Sequence, residues 1–215
     1  MIISRGRRYI FVHIPKTGGT ALSLALEARA MADDILIGDT PKARRRRRRL
    51  RGLKTAGRLW KHSRLADIRG LVSDEEIASF FVFTLVRNPW DRLVSYYHWL
   101  REQSFDHPAV TTARRLDFAA FLRDPAMQRA IRNSPYAAYV TDASGRERCD
   151  LWLRLEHLAE DVKSLEARLG LRLGEIPHVN RSKRAADHRG YYDAATRDLV
   201  AELCAEDIAR FGYRF

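Results

Sequence analysis

Cysteine is scarce in this chain of 215 residues, which contains only Cys149 and Cys204. The two lie too far apart for a redox or metal-binding motif of the C-x-x-C kind, and two cysteines are too few for a disulfide-rich fold. We expect both to be buried free thiols. The sequence suggests no metal site.

Long apolar runs are also missing. No run reaches the length of about 20 residues that a membrane-spanning helix needs. A signal peptide is not expected either, because a strand pattern begins within the first ten residues. These two absences predict a cytoplasmic protein.

Acidic residues are missing from residues 40–66, a stretch that holds twelve of the 39 basic residues and includes the six consecutive arginines Arg44–Arg49. The other 27 basic residues match the 27 acidic ones, so the net charge of +12 resides in this insertion. Like charges repel, which predicts a mobile loop or a solvated helix. Two alternatives stay open: a solvated segment with no role, or a surface for an anionic glycan, an acidic carrier or an anionic lipid.

The most informative motif lies between residues 10 and 26. A hydrophobic strand ends at Pro15 and continues through Lys16, Thr17, Gly18, Gly19 and Thr20 into an apolar helix. Paired glycines allow close approach of a ligand to the backbone, and the first amides of a helix attract anions. Because Lys16 precedes the glycines, the spacing differs from that of nucleoside-triphosphate loops with their Mg²⁺. The motif predicts a site for a phosphate-bearing ligand.

A second motif follows the apolar strand at 80–86. Arg87 comes directly after it, Asn88 and Pro89 start a helix, and Ser95 lies on that helix. Ligands of open α/β sheets bind at the carboxyl ends of strands. An arginine can grip a phosphate with a forked pair of hydrogen bonds and a serine can add one more. Arg87 and Ser95 therefore predict a second phosphate site, although a salt bridge at the strand end is an alternative for Arg87.

The order of elements predicts an α/β fold. Strands at about 8–14, 80–86 and 150–155 alternate with helices, which favours a mainly parallel sheet. Helices are expected at about 20–31, 73–79, 89–103, 115–123, 156–169 and 193–210. The length suits one domain, 1–215. We expect a P-loop-like three-layer domain with a mainly parallel central sheet flanked by helices and with the basic insertion at about 40–66.

The two motifs together resemble those of PAPS-dependent sulfotransferases, where PAPS is 3′-phosphoadenosine 5′-phosphosulfate. Pro15–Thr20 is similar to their 5′-phosphosulfate loop, and Arg87-Asn88-Pro89 with Ser95 is similar to their 3′-phosphate motif. The closest likeness is to the carbohydrate-type group, which includes heparan and chondroitin sulfotransferases and many bacterial members. The likeness extends to residues 153–158 and 207–215.

The resemblance implies a role for each residue. Lys16 would contact the 5′-phosphate and the oxygen that bridges it to sulfur, with Pro15, Thr17, Gly18, Gly19 and Thr20 around the phosphate. Arg87 and Ser95 would bind the 3′-phosphate, without any metal. His62 would be the catalytic base between the two motifs, and Arg181, Ser182 and Lys183 would form a late basic loop over the nucleotide, with an ordinary surface turn as the alternative.

The resemblance implies a bacterial-type cytoplasmic enzyme that sulfates a hydroxyl of a carbohydrate or glycoconjugate. The arginine run would bind an anionic acceptor or a membrane surface, and no specific nucleic acid is expected. Two other classes remain open. A nucleotide or small-molecule kinase would explain the first loop, and a basic nucleic-acid-binding module would explain the arginine run.

Overall fold

The computed structural model describes residues 1–177 and 184–215. The chain divides into two compact units. The first contains the described residues of 1–86 and 136–180, and the second those of 87–135 and 181–215. The single domain inferred from the sequence stays a prediction.

A five-stranded sheet forms the centre of the first unit. Its strands are β1 (Ile2–Ser4), β2 (Tyr9–Val12), β3 (Ile35–Leu36), β4 (Phe81–Val86) and β5 (Leu151–Arg154). They lie in the order β3-β1-β2-β4-β5. The strands β2, β4 and β5 are parallel neighbours, while β1 pairs antiparallel with both β2 and β3. The predicted α/β fold with a mainly parallel sheet is therefore confirmed, with one reversed strand that the sequence analysis missed.

Eleven α-helices lie within the described residues, and they flank the sheet or build the second unit. In chain order they are α1 (Gly19–Ala28), α2 (Pro41–Arg46), α3 (Asp74–Ser79), α4 (Pro89–Arg101), α5 (Pro108–Arg115), α6 (Phe118–Arg123), α7 (Pro125–Arg132), α8 (Ala137–Val140), α9 (Leu158–Leu169), α10 (Ala194–Leu203) and α11 (Ala205–Phe211). None of the helices in this part of the chain is long and apolar enough to cross a membrane.

The core of the first unit explains why β2 and β4 are almost wholly apolar. Alternate residues of the strands, such as Phe11 and Phe83, pack with Leu22 and Leu26 of α1 and Leu165 of α9. The intervening residues of β2 and β4, whose side chains point to the opposite face of the sheet, are buried as well. A strand that is covered on both faces carries no polar alternation, which is typical of parallel sheets.

The second unit packs around aromatic side chains. Tyr97 of α4 lies 5.3 Å from Phe118 of α6, measured between ring centroids, and Phe118 lies 5.1 Å from Tyr192. The core also includes Leu93 and Val200. This packing fixes one face of α4, the helix that carries Ser95.

Three features of the sequence prediction need correction. The helix expected at 193–210 is two helices that meet at Cys204. The helix expected at 115–123 begins later, at Phe118, and α5 precedes it as a separate helix. Both cysteines are free, as expected, but they are only partly buried.

The basic insertion is helical at its start. Thr40 caps α2 by accepting a hydrogen bond from the amide of Ala43 at 3.1 Å, and a short 3-10 helix, Arg47–Leu50, follows. Arg46 and Arg49 donate to backbone carbonyls of residues 31–34. The other arginines of the run, Arg44, Arg45, Arg47 and Arg48, are exposed. The arginine run is therefore helical, whereas residues 51–64 of the insertion contain no helix.

Candidate functional site

The loop between β2 and α1 has an unusual backbone. Lys16 has a φ of 65° and Gly18 a φ of 88°, both in the left-handed region. For lysine that conformation costs roughly 1 kcal/mol or more. Thr17, between them, is fully buried, and its hydroxyl donates to the carbonyl of Ile14 at 2.9 Å. The threonine side chain therefore holds the turn.

Gly18 and Gly19 lie against side chains that leave no room for a Cβ. A Cβ on Gly18 would come within 2.7 Å of Leu155, and one on Gly19 within 2.2 Å of the ring of His13. Leu155 directly follows β5 and His13 directly follows β2, so both contacts lie at the carboxyl edge of the parallel strands. The glycine pair is thus required by packing at the edge where ligands of such sheets bind.

The first turn of α1 has no side-chain cap. Its N-cap is Gly18, which offers no side-chain acceptor, whereas Ser73 caps α3 and Asp193 caps α10. Thr20, inside the helix, does not serve as the cap. Helix N-termini without a cap leave amide groups that suit an anion. A phosphate group suits this loop by its negative charge.

His62 is connected to the same loop by its contacts with His13. The Nδ1 atom of His62 is 2.8 Å from the carbonyl oxygen of His13, and the two rings are 4.7 Å apart. A carbonyl oxygen only accepts hydrogen bonds, so Nδ1 carries the proton. In the neutral imidazole the basic nitrogen is then Nε2, which can accept a proton from another molecule.

A tight turn holds His62 in place. The amide of Trp60 donates to Oγ of Ser63 at 2.9 Å, and Ser63 is fully buried. Lys61 forms an ion pair with Asp39 at 3.0 Å. The ring of Trp60 is 5.0 Å from that of His62 and is 45% exposed.

His13 differs from His62 in its surroundings. It is buried, and burial lowers its pKa well below the usual range, with a further contribution from His62. The ring of His13 therefore stays neutral. It supports Gly19 and, through its backbone carbonyl, His62.

Arg87 directly follows β4 and belongs to an ionic cluster in the second unit. Its Nε donates to Oδ2 of Asp91 at 2.9 Å, and Nη2 of Arg184 donates to Oδ1 of the same carboxylate at 2.5 Å. The salt bridge that the sequence left as an alternative for Arg87 is thus observed. A guanidinium group carries five N–H donors, so an ion pair with one carboxylate oxygen does not by itself exclude anion binding.

The start of α4 is held firmly. Asn88 accepts a hydrogen bond from the amide of Trp90 at 3.0 Å and donates to the carbonyl of Arg214 at 2.8 Å. Ser95 lies one turn after Asp91 and is 6% exposed. Of the two predicted residues, Arg87 directly precedes this anchored N-terminus and Ser95 lies further along the same helix.

Sequence reasoning missed Asp91 and Arg184. The spacing of Arg87 and Asp91, four residues apart, was a signal for an ion pair on a helix. Nothing in the sequence indicated that Arg184 contacts Asp91. Arg181, Ser182 and Lys183 lie outside the described residues.

A metal site is also absent from the part of the chain that the structure describes, in which no group of three or more His, Cys, Asp or Glu residues could hold an ion.

Comparison with known proteins gives two matches. A family model described as "Sulfotransferase family" matches residues 1–214. A crystal structure of mouse sulfotransferase SULT7A1 complexed with PAP matches with a TM-score of 0.53 and 15% sequence identity, covering 93% of this chain and 82% of that chain. The structural likeness shows a shared fold. A search of curated proteins found no match.

Proposed function

The chain belongs to the sulfotransferase family, and we propose that it transfers a sulfuryl group from PAPS to a hydroxyl group of a carbohydrate acceptor. PAPS supplies an activated sulfuryl group on its 5′-phosphate and carries a second phosphate at the 3′ position. The observation that carries the proposal is the loop at residues 15–20, in which a helix without a side-chain cap follows a lysine and two crowded glycines.

Two groups of residues are proposed to bind the donor. Lys16 and the backbone of Pro15, Thr17, Gly18, Gly19 and Thr20 bind the 5′-phosphosulfate. Arg87 and Ser95 bind the 3′-phosphate, as the resemblance of the second motif implies. Arg181, Ser182 and Lys183 are proposed to add contacts to the nucleotide, as the resemblance of the late basic loop implies.

Catalysis needs a base and charge stabilisation. His62 is suited to the first task, because the hydrogen bond between its Nδ1 and the carbonyl of His13 makes Nε2 the basic nitrogen of the neutral ring. Lys16 is suited to the second, because an ammonium group stabilises the charge that develops on the leaving oxygen. We propose no metal in either step.

The surroundings of His62 support a saccharide as the acceptor. Trp60 is the exposed aromatic neighbour of the proposed base. An indole ring offers a flat apolar face of the kind on which the C–H face of a sugar ring can rest. The exposed arginines of the run favour an acceptor that is itself anionic. An anionic membrane surface is the other candidate partner for them. A cytoplasmic location and a bacterial type of enzyme stay predictions.

Our first prediction concerns the nucleotide. We expect 3′-phosphoadenosine 5′-phosphate to bind more tightly than ATP with Mg²⁺, because two separate phosphate sites fit a bisphosphate and the loop lacks the Mg²⁺ spacing. Calorimetry with and without a chelator measures both affinities. Tighter binding of ATP with Mg²⁺ would favour the kinase alternative. Thermal stabilisation by a DNA duplex but not by the bisphosphate would favour the nucleic-acid-binding module.

The second prediction concerns the arginine run. Serine in place of Arg44, Arg45, Arg47 and Arg48, which are all exposed, should raise the KM for an anionic saccharide and flatten its salt dependence, with little change in kcat. Arg46 and Arg49 stay, since they anchor the segment. Four exposed cations elsewhere provide a matched control: Arg115, Arg129, Arg146 and Lys163. If KM rises equally in the control variant, the net charge of the protein attracts the acceptor, and the arginine run is not a specific binding surface.

A further inference from the structure

Asp91 lies between two guanidinium groups in the second unit. Its Oδ2 accepts from Arg87 and its Oδ1 from Arg184, so each carboxylate oxygen holds one arginine. The side chains of Arg87, Asp91 and Arg184 are 13%, 20% and 9% exposed. The three charges are therefore held largely away from water, where their interactions are stronger than at an open surface.

A carboxylate that bridges two arginines fixes their separation. Two guanidinium groups that contact the same carboxylate would repel each other without it. The negative charge between them offsets that repulsion. The bridge thus holds the two guanidinium groups next to one carboxylate. Because a guanidinium group carries several N–H donors, two neighbouring arginines can donate to different oxygens of one phosphate.

The bridge is close to Ser95. Asp91 and Ser95 are four residues apart on α4 and so occupy neighbouring turns on the same side of the helix. The start of this helix is tied to the rest of the unit by Asn88 and by Trp90, whose indole donates to the carbonyl of Arg197 at 3.0 Å. A carboxylate on such a rigid element can hold the two arginines in one geometry before a ligand arrives.

We propose that Asp91 is the positioning residue of the 3′-phosphate site, where it holds Arg87 and Arg184 so that both guanidinium groups bind the phosphate beside Ser95. The inference rests on the proposed function. Asp91 itself does not touch the phosphate, because two anions in contact would repel. Its effect reaches the ligand through the two arginines.

An alternative explanation is that Asp91 only stabilises the N-terminus of α4 and has no role in ligand binding. Acidic residues in the first turn of a helix are favoured by the helix dipole, and Asp91 is the acid in the first turn of α4. On this account its removal would lower stability and would affect all nucleotides equally. The two accounts therefore differ in which ligand loses affinity.

The test compares three ligands by calorimetry: 3′-phosphoadenosine 5′-phosphate, adenosine 3′-monophosphate and adenosine 5′-monophosphate. The variants are Asp91→Asn and Arg184→Gln, and Asp198→Asn serves as the control because Asp198 forms an exposed ion pair with Arg197 in the same unit. We expect Asp91→Asn to weaken the two ligands that carry a 3′-phosphate by about tenfold or more. Binding of the 5′-monophosphate should change less than about twofold.

The outcomes separate the accounts. An equal loss for all three ligands, or tighter binding of the bisphosphate by Asp91→Asn, would overturn the proposal. If Asp91→Asn does not fold, Arg184→Gln still tests it, since this variant keeps the Arg87–Asp91 pair and should show the same selective loss. A wild-type protein that binds the bisphosphate no better than the 5′-monophosphate would instead contradict the proposed function.

Discussion

Replacement of Lys16 with alanine should lower turnover by about 10²–10³-fold, the effect of removing one charge-stabilising group from a transition state. It should also weaken binding of the bisphosphate nucleotide, because the ammonium group is proposed to contact the 5′-phosphate in the ground state. Single-turnover kinetics measures the first effect and calorimetry the second. Turnover within about threefold of the wild type would remove Lys16 from the chemical step.

The backbone of Lys16 provides a matched control. Lysine at a φ of 65° is strained, and glycine at the same position is not. Lys16→Gly should therefore raise the free energy of unfolding by about 1 kcal/mol while turnover falls as in Lys16→Ala. If the glycine variant is more stable but inactive, the loss of turnover comes from the missing charge and not from a damaged loop. Lys16→Arg keeps the charge and should recover part of the rate.

The sequence predicted where the two motifs lie relative to the strands better than it predicted the contacts around them. Hydrophobic strands that end in a lysine-glycine loop or in Arg87 are local signals, so the positions of the motifs after β2 and β4 were correct. The contacts that explain the glycines were not readable, because Leu155 and His13 reach Gly18 and Gly19 only after the parallel strands are paired. The hydrogen bond from His62 to His13 joins residues 49 positions apart and leaves no local pattern.

Short elements account for most of the missed fold. The strands β1 and β3 have three and two residues, too few for a periodic pattern, and they form because β1 pairs with β2 and β3. The helices α5 and α7 did carry a start signal. Each has proline at its first position after a capping residue, His107 and Asp124. The charge of the arginine run does not distinguish a mobile loop from a solvated helix. The cap at Thr40 and the donation by Arg46 and Arg49 to backbone carbonyls favour the helix.

His62→Ala should lower turnover by about 10²–10⁴-fold, the usual contribution of a positioned base. Nucleotide affinity should barely change, because Nε2 is proposed to face the acceptor rather than the phosphates. The wild-type rate should fall on the acid side as His62 takes up a proton, since a protonated imidazole cannot accept the hydroxyl proton. The acid limb of the pH profile should be missing from the residual activity of the variant.

A second substitution separates the base from the hydrogen bond that holds it. In His62→Asn the side-chain amide can still donate to the carbonyl of His13, but no basic nitrogen remains. The asparagine variant should therefore be as inactive as the alanine variant. Near-normal turnover in His62→Asn would show that His62 orders its turn rather than removing a proton.

The structure also narrows where the base would be if His62 failed this test. Glu76 is engaged, because one carboxylate oxygen pairs with Arg5 at 2.7 Å and the other accepts from the amide of Ser73 at 2.9 Å. His157 is exposed and follows β5, at the same sheet edge as the phosphate loop. His157→Ala is thus the matched histidine control and should keep its turnover. A loss of turnover in His157→Ala together with wild-type turnover in His62→Ala would move the base to His157.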